Sequence, residues 1–163
     1  MKFISITGKT RNLIYYIVLV TGFLGLMLAG FQTSLQNSYI DADYQAFAQA
    51  KQMLQSNQPD QAQAMLQPLL NKYKNSFEIA FLYAVALDGQ KKYKESLKYL
   101  DKARQIRPVL QVNQRYLIQY GQILESLGRI SEAKVYFQAA VNLNNNPQDT
   151  KSARKLLGRL ENK

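Results

Sequence analysis

Residues 117–140 read LIQYGQILESLGRISEAKVYFQAA. Two helical runs meet at Gly128, a helix breaker. Tyr120, Gly121 and Leu124 fall on the first run, and Ala133, Phe137 and Ala140 share one face of the second. Small residues stand where two helices would touch, and large ones fill the gaps beside them. The same order recurs upstream: Tyr83, Ala84 and Leu87, then Ser96, Leu100 and Ala103. A weaker copy begins at Asp43, with Ala50, Met53, Ala62, Leu66 and Leu69. Thirty-four residues separate Ala50 from Ala84, and thirty-seven separate Ala84 from Gly121. A three-residue insertion therefore falls around residues 109–113. Helix pairs of this kind cannot bury their own apolar faces, so about three must stack to make a core.

The weakest unit departs from the pattern twice. Pro68 falls inside its second helix and is expected to kink it. Leu69 replaces a small residue. Its turn, Ser56-Asn57-Gln58-Pro59, puts Pro59 near a helix start, where a missing N–H does no harm.

On these residues the chain resembles the tetratricopeptide repeat (TPR) family, with units at 43–76, 77–110 and 114–147. Residues 149–162 form an amphipathic segment, with Ala153, Leu156, Leu157 and Leu160 opposite Lys151, Arg154, Lys155 and Arg159. It is expected to cap the open end of the array, with Asp149 or Thr150 at its start. The resemblance implies a groove lined by the first helix of each unit, taking an extended peptide or a partner's helix. Carried over by position, the groove residues are Tyr44, Phe47 and Lys51, then Glu78, Phe81, Val85 and Asp88, then Arg115, Ile118, Gln122 and Glu125. Chaperone-binding members hold a C-terminal carboxylate with Lys, Asn and Arg. Here Phe47, Phe81 and Ile118 take the corresponding face, so that clamp is not expected.

The N-terminal region poses a separate question. Residues 13–31 are nineteen residues without a charge, preceded by Lys2, Lys9 and Arg11. At about 1.5 Å per residue the run reaches about 28 Å, near the ~30 Å hydrocarbon core of a bilayer. It is expected to be an uncleaved single-pass signal anchor rather than a cleaved signal peptide, whose apolar region is shorter. The flanking charges put residues 1–12 in the cytoplasm and the repeats outside the membrane. Residues 32–42 are a linker or a continuation of the helix. Thr21, Gly25 and Ala29 recur every four residues, a stripe that would let two membrane helices approach.

Composition narrows the function. The chain of 163 residues has no Cys and no His, and Lys+Arg outnumber Asp+Glu by 21 to 11. It has no thiol chemistry and lacks the residue most used for acid–base work and metal binding. No catalytic site, metal site or cofactor is expected. The basic excess concentrates at Lys91, Lys92, Lys94, Lys98, Lys102, Arg104 and Arg107. Lys94, Lys98 and Lys102 share one helix face. With Lys91 they form a basic ridge, whose plainer reading is a solvated outer surface.

The fold expected is all-α: a transmembrane helix, then a right-handed solenoid of three helix pairs and a capping helix. The function expected is a non-enzymatic adaptor for protein partners in a cell-envelope, secretion or assembly complex, with no nucleic acid. Two alternatives stand beside it. One is a binder of anionic wall or lipid polymers through the ridge, and the other an organelle import receptor with cytosolic repeats.

Overall fold

The computed structural model describes residues 8–161, and within them the side-chain surroundings of residues 12, 15–28 and 41–161. Among the described residues every regular element is helical: α1 (Gly8–Gln55), α2 (Pro59–Lys72), α3 (Phe77–Gly89), α4 (Tyr93–Ile106), α5 (Gln114–Ser126), α6 (Ile130–Leu143) and α7 (Pro147–Glu161). A 3-10 turn, Pro108–Val112, joins α4 to α5 and takes up the three extra residues. The chain divides into two units, Met1–Tyr44 and Gln45–Lys163.

In the second unit consecutive helices pack in order from α2 to α7. The repeat register appears directly in burial. Ala62, Ser96 and Ala133 are fully buried, and so are Leu66, Leu100 and Phe137 one turn further on. Ser96 is polar at an otherwise Ala position, and its Oγ donates to the carbonyl of Ala84 at 2.6 Å. That bond removes the penalty of burying a bare hydroxyl. The turn inside each pair also keeps register. Asn57, Lys91 and Gly128 each adopt a left-handed backbone, with φ of 56°, 61° and 76°. A left-handed residue reverses the chain and ends the helix before it.

Prolines and caps act locally. Pro59 opens α2. Pro68 does not end α2, which runs on to Lys72 with Pro68 exposed. Ser76 caps α3 by accepting from the N–H of Ile79 at 3.3 Å. Asn113 caps α5 by accepting from the N–H of Tyr116 at 3.0 Å. The α7 helix starts earlier than its sequence suggests. Asn146 is its cap, accepting from the N–H groups of Gln148 and Asp149 at 3.0 and 3.2 Å. Thr150 lies inside the helix and is buried.

The expected transmembrane helix is overturned. Among the described residues no helix is long and apolar enough to cross a membrane. The backbone of residues 13–31 is helical, as part of α1. The fold is therefore an all-α solenoid with no membrane span among the described residues, and a membrane anchor has no support there. Of the small stripe, Thr21 and Gly25 are described. The Thr21 hydroxyl donates to its own helix, to the carbonyl of Ile17 at 2.8 Å, and nothing stands within 4 Å of a β-carbon placed on Gly25. The side chain of Ala29 lies outside the described residues, as do residues 1–7 and the side chains of Lys9, Arg11 and residues 32–40.

Candidate functional site

The first helices of the repeats turn their free faces to a common concavity, and α7 closes its far side. A cavity of about 550 Å³ is lined by Lys51, Leu54 and Gln55 of α1 and by Phe81, Leu82 and Val85 of α3. Arg115, Ile118, Gln119 and Gln122 of α5 and Asp149, Ser152 and Leu156 of α7 complete it. A smaller one, about 270 Å³, is lined by Phe47, Phe77, Glu78, Leu110, Asn113 and Tyr116. Lys51, Phe81, Leu82 and Arg115 line both.

Why these side chains face the groove follows from helix periodicity. On α3 the buried positions are Ile79, Ala80, Tyr83, Ala84, Ala86 and Leu87. Phe81, Leu82 and Val85 remain between them, half-buried. On α5 the buried set includes Tyr116, Leu117, Tyr120, Gly121 and Leu124, which leaves Arg115, Ile118, Gln119 and Gln122 on the open side. The surface is apolar along its floor and polar at its edges, the usual character of a peptide-binding cleft.

The structure brings together Phe47, Lys51, Glu78, Phe81, Val85, Arg115, Ile118 and Gln122 of the residues named from the sequence. Tyr44, Asp88 and Glu125 line neither cavity. Tyr44 ends the N-terminal unit and is 72% exposed. Asp88 accepts from Gln119 Nε2 at 2.7 Å, tying α3 to α5. Burial pushes its carboxyl above the ordinary value, and the Gln119 bond partly offsets that. Glu125 pairs with Arg159 of α7 at 2.5 Å. Sequence reasoning missed Leu54, Leu82, Gln119 and the contribution of α7. Arg115 Nε reaches Asp149 at 3.1 Å, so the capping helix is part of the groove wall.

Two buried networks hold the walls. Gln114 Nε2 donates to the carbonyl of Ala140 at 2.8 Å and to Thr150 Oγ1 at 2.7 Å. Its Oε1 accepts from the N–H of Asn146 at 3.1 Å. One side chain thus fixes the start of α5, the end of α6 and the start of α7. Between repeats, Tyr120 donates to Asp101 Oδ1 at 2.9 Å and stacks on Tyr136 at 4.3 Å between centroids. Burial and the Asp101 bond both push the Tyr120 hydroxyl far above its ordinary value, so it is a permanent donor. Arg104 pairs with Asp101 at 2.8 Å.

The basic ridge lies apart from these cavities. Lys94 and Lys98 are exposed on α4 and Lys102 is half-buried, opposite the packed Ser96, Leu100 and Ala103. Lys91 is the left-handed turn residue before α4.

A family model described as tetratricopeptide repeat matches residues 114–147. These span α5 and α6. The fold is a tetratricopeptide-repeat fold. The type III secretion translocator chaperone SycD of Yersinia enterocolitica superposes with a TM-score of 0.64 at 15% identity, over 74% of this chain and 84% of that one. PcrH, in complex with the chaperone binding region of PopD, gives 0.64 at 16% identity over 74% and 92%. The TPR2B domain of yeast Sti1 in complex with pHsp70 gives 0.63 at 15% over 74% and 96%. No curated protein matches the sequence.

Proposed function

We propose that this TPR chain is a protein-binding scaffold that takes an extended segment of a partner in the α1–α3–α5–α7 groove. The observation that carries the reading is the 550 Å³ concavity itself, with Phe81, Val85, Ile118 and Leu156 exposed to it between polar edges. Half-buried apolar side chains at the centre of a concave polar-rimmed surface are where binding energy concentrates. PcrH holds a region of PopD and Sti1 engages pHsp70 on the same fold. The finer reading is an adaptor that holds a client segment during assembly of a larger complex. Panning a displayed peptide library against the full chain tests it. Selected peptides should bind wild type and lose at least about tenfold in affinity to Ile118→Arg. Peptides that bind both equally would remove the groove from the account.

A further inference from the structure

The middle repeat departs from its neighbours on one face. Counting from the equivalent Ala62, Ser96 and Ala133, Lys94, Lys98 and Lys102 of α4 correspond to Asp60, Ala64 and Pro68 of α2 and to Ser131, Val135 and Ala139 of α6. A merely solvated surface gives no reason for cations to gather on one repeat. The turn before α4 repeats the contrast. Its left-handed position holds Lys91, where the other turns have Asn57 and Gly128, the residue types that accept such a backbone most easily. A side chain kept at a strained position points to a use for its charge. We propose that this face is a second docking surface, independent of the groove. It takes an acidic helix of a protein partner, with carboxylates at i, i+4 and i+8.

The chain does not offset these cations itself. No ridge lysine is ion-paired among the described residues. Of the acids on α4 and α6, Asp101 is held by Arg104 at 2.8 Å and by Tyr120 at 2.9 Å, and Glu132 by Arg129 at 2.6 Å. Glu95 remains, one carboxylate against Lys91, Lys92, Lys94, Lys98 and Lys102. Lys94, Lys98 and Lys102 advance about 6 Å per step along α4, the step at which carboxylates four residues apart advance along a partner helix. Where α4 begins, the ridge borders a cavity of about 320 Å³ in which Tyr93 and Leu127 stand beside Lys91, Lys92, Lys94 and Glu95. A phosphate polymer has nothing to place against Tyr93 and Leu127, whereas an amphipathic acidic helix has an apolar side chain to put there. A second copy is not the occupant, because this sequence nowhere carries acids at i, i+4 and i+8.

The probe is an acetylated and amidated Ala-rich peptide, about twenty residues long so that it is helical, with Glu at i, i+4 and i+8 and one Leu a turn away. Its control has the same composition, with the Glu residues on different sides of the helix. Binding to the full chain is read by fluorescence anisotropy. An exposed ion pair is worth a few-fold at most, so three in register should favour the striped peptide by about tenfold, and salt should shrink the preference. The double variant Lys94→Gln, Lys98→Gln should lose that preference, and Ile118→Arg in the groove should keep it. Lys91→Gly should bind the striped peptide more weakly while melting higher. Equal binding of the two peptides would overturn the proposal. So would an equal loss on Lys155→Gln in α7, which would mean diffuse attraction to the net charge. Polyphosphate or anionic vesicles that bind more tightly than the striped peptide, with the same dependence on Lys94 and Lys98, would overturn the acidic helix in favour of phosphate groups. Absence of peptide binding would overturn it as well.

Discussion

A β-carbon placed on Gly121 would stand 2.6 Å from Cε1 of Phe137, whose ring is fully buried. This is where α5 and α6 come nearest, and it explains the Tyr120-Gly121 pair as packing. The ring cannot swing to solvent, so Gly121→Ala should overpack the pair at a cost of about 1–3 kcal/mol. The gain in helix propensity, about 1 kcal/mol, offsets only part of that. Urea unfolding should show a net loss. Gly158→Ala in α7, with nothing within 4 Å of its β-carbon, should instead gain stability. A stable Gly121→Ala protein would mean that the helices can move apart.

Gln114→Leu should loosen the far wall of the groove. The substitution strands the N–H of Asn146 and removes two further bonds, to Ala140 and Thr150. A buried donor without a partner costs about 1–3 kcal/mol. Hydrogen exchange should quicken first at the start of α7, before α3 and α4 are affected.

Lys91→Gly should stabilise the chain by about 0.5–1 kcal/mol, since glycine adopts a left-handed backbone without the penalty a side chain brings. Its φ of 61° sets the expectation. The same change at exposed Lys98, inside α4, should destabilise by about 1 kcal/mol. Thermal melts of the two variants separate turn from ridge.

Much of this architecture was legible because packing leaves a short-range signature. Ala62, Ser96 and Ala133 recur in register because each is buried in its own helix pair. The insertion of three residues was legible for the same reason. The role of α7 in the groove was not. Its amphipathic face announces a cap, but whether Leu156 and Ser152 line the concavity depends on how successive pairs rotate, which no local pattern encodes. The cap at Asn146 was hidden because Asp149 and Thr150 are equally good cap residues by type. The uncharged run at residues 13–31 misled for a different reason. A charge-free run does not by itself make a span, and among the described residues no helix is long and apolar enough to cross a membrane.

Asp88 carries a pH dependence. Burial raises its carboxyl above the ordinary value, so the folded chain binds this proton more tightly than the unfolded chain does. Its contribution therefore grows as pH falls through the folded value and is lost as pH rises above it. Asp88→Asn keeps an acceptor for Gln119 and removes the buried charge. It should raise Tm by about 1–2 °C at neutral pH. The advantage should vanish in acid, where wild-type Asp88 is protonated. A lower Tm at pH 7 would show that the charge is stabilising.

Methyl chemical shifts of the full chain, titrated with a library-selected peptide, test the central claim most directly. The methyls of Leu82, Val85, Ile118 and Leu156 should move together, while those of Val109 and Val135, 55% and 67% exposed outside either cavity, stay still. Shifts gathered instead around Val135, or along the Lys94–Lys98 face of α4, would contradict the account.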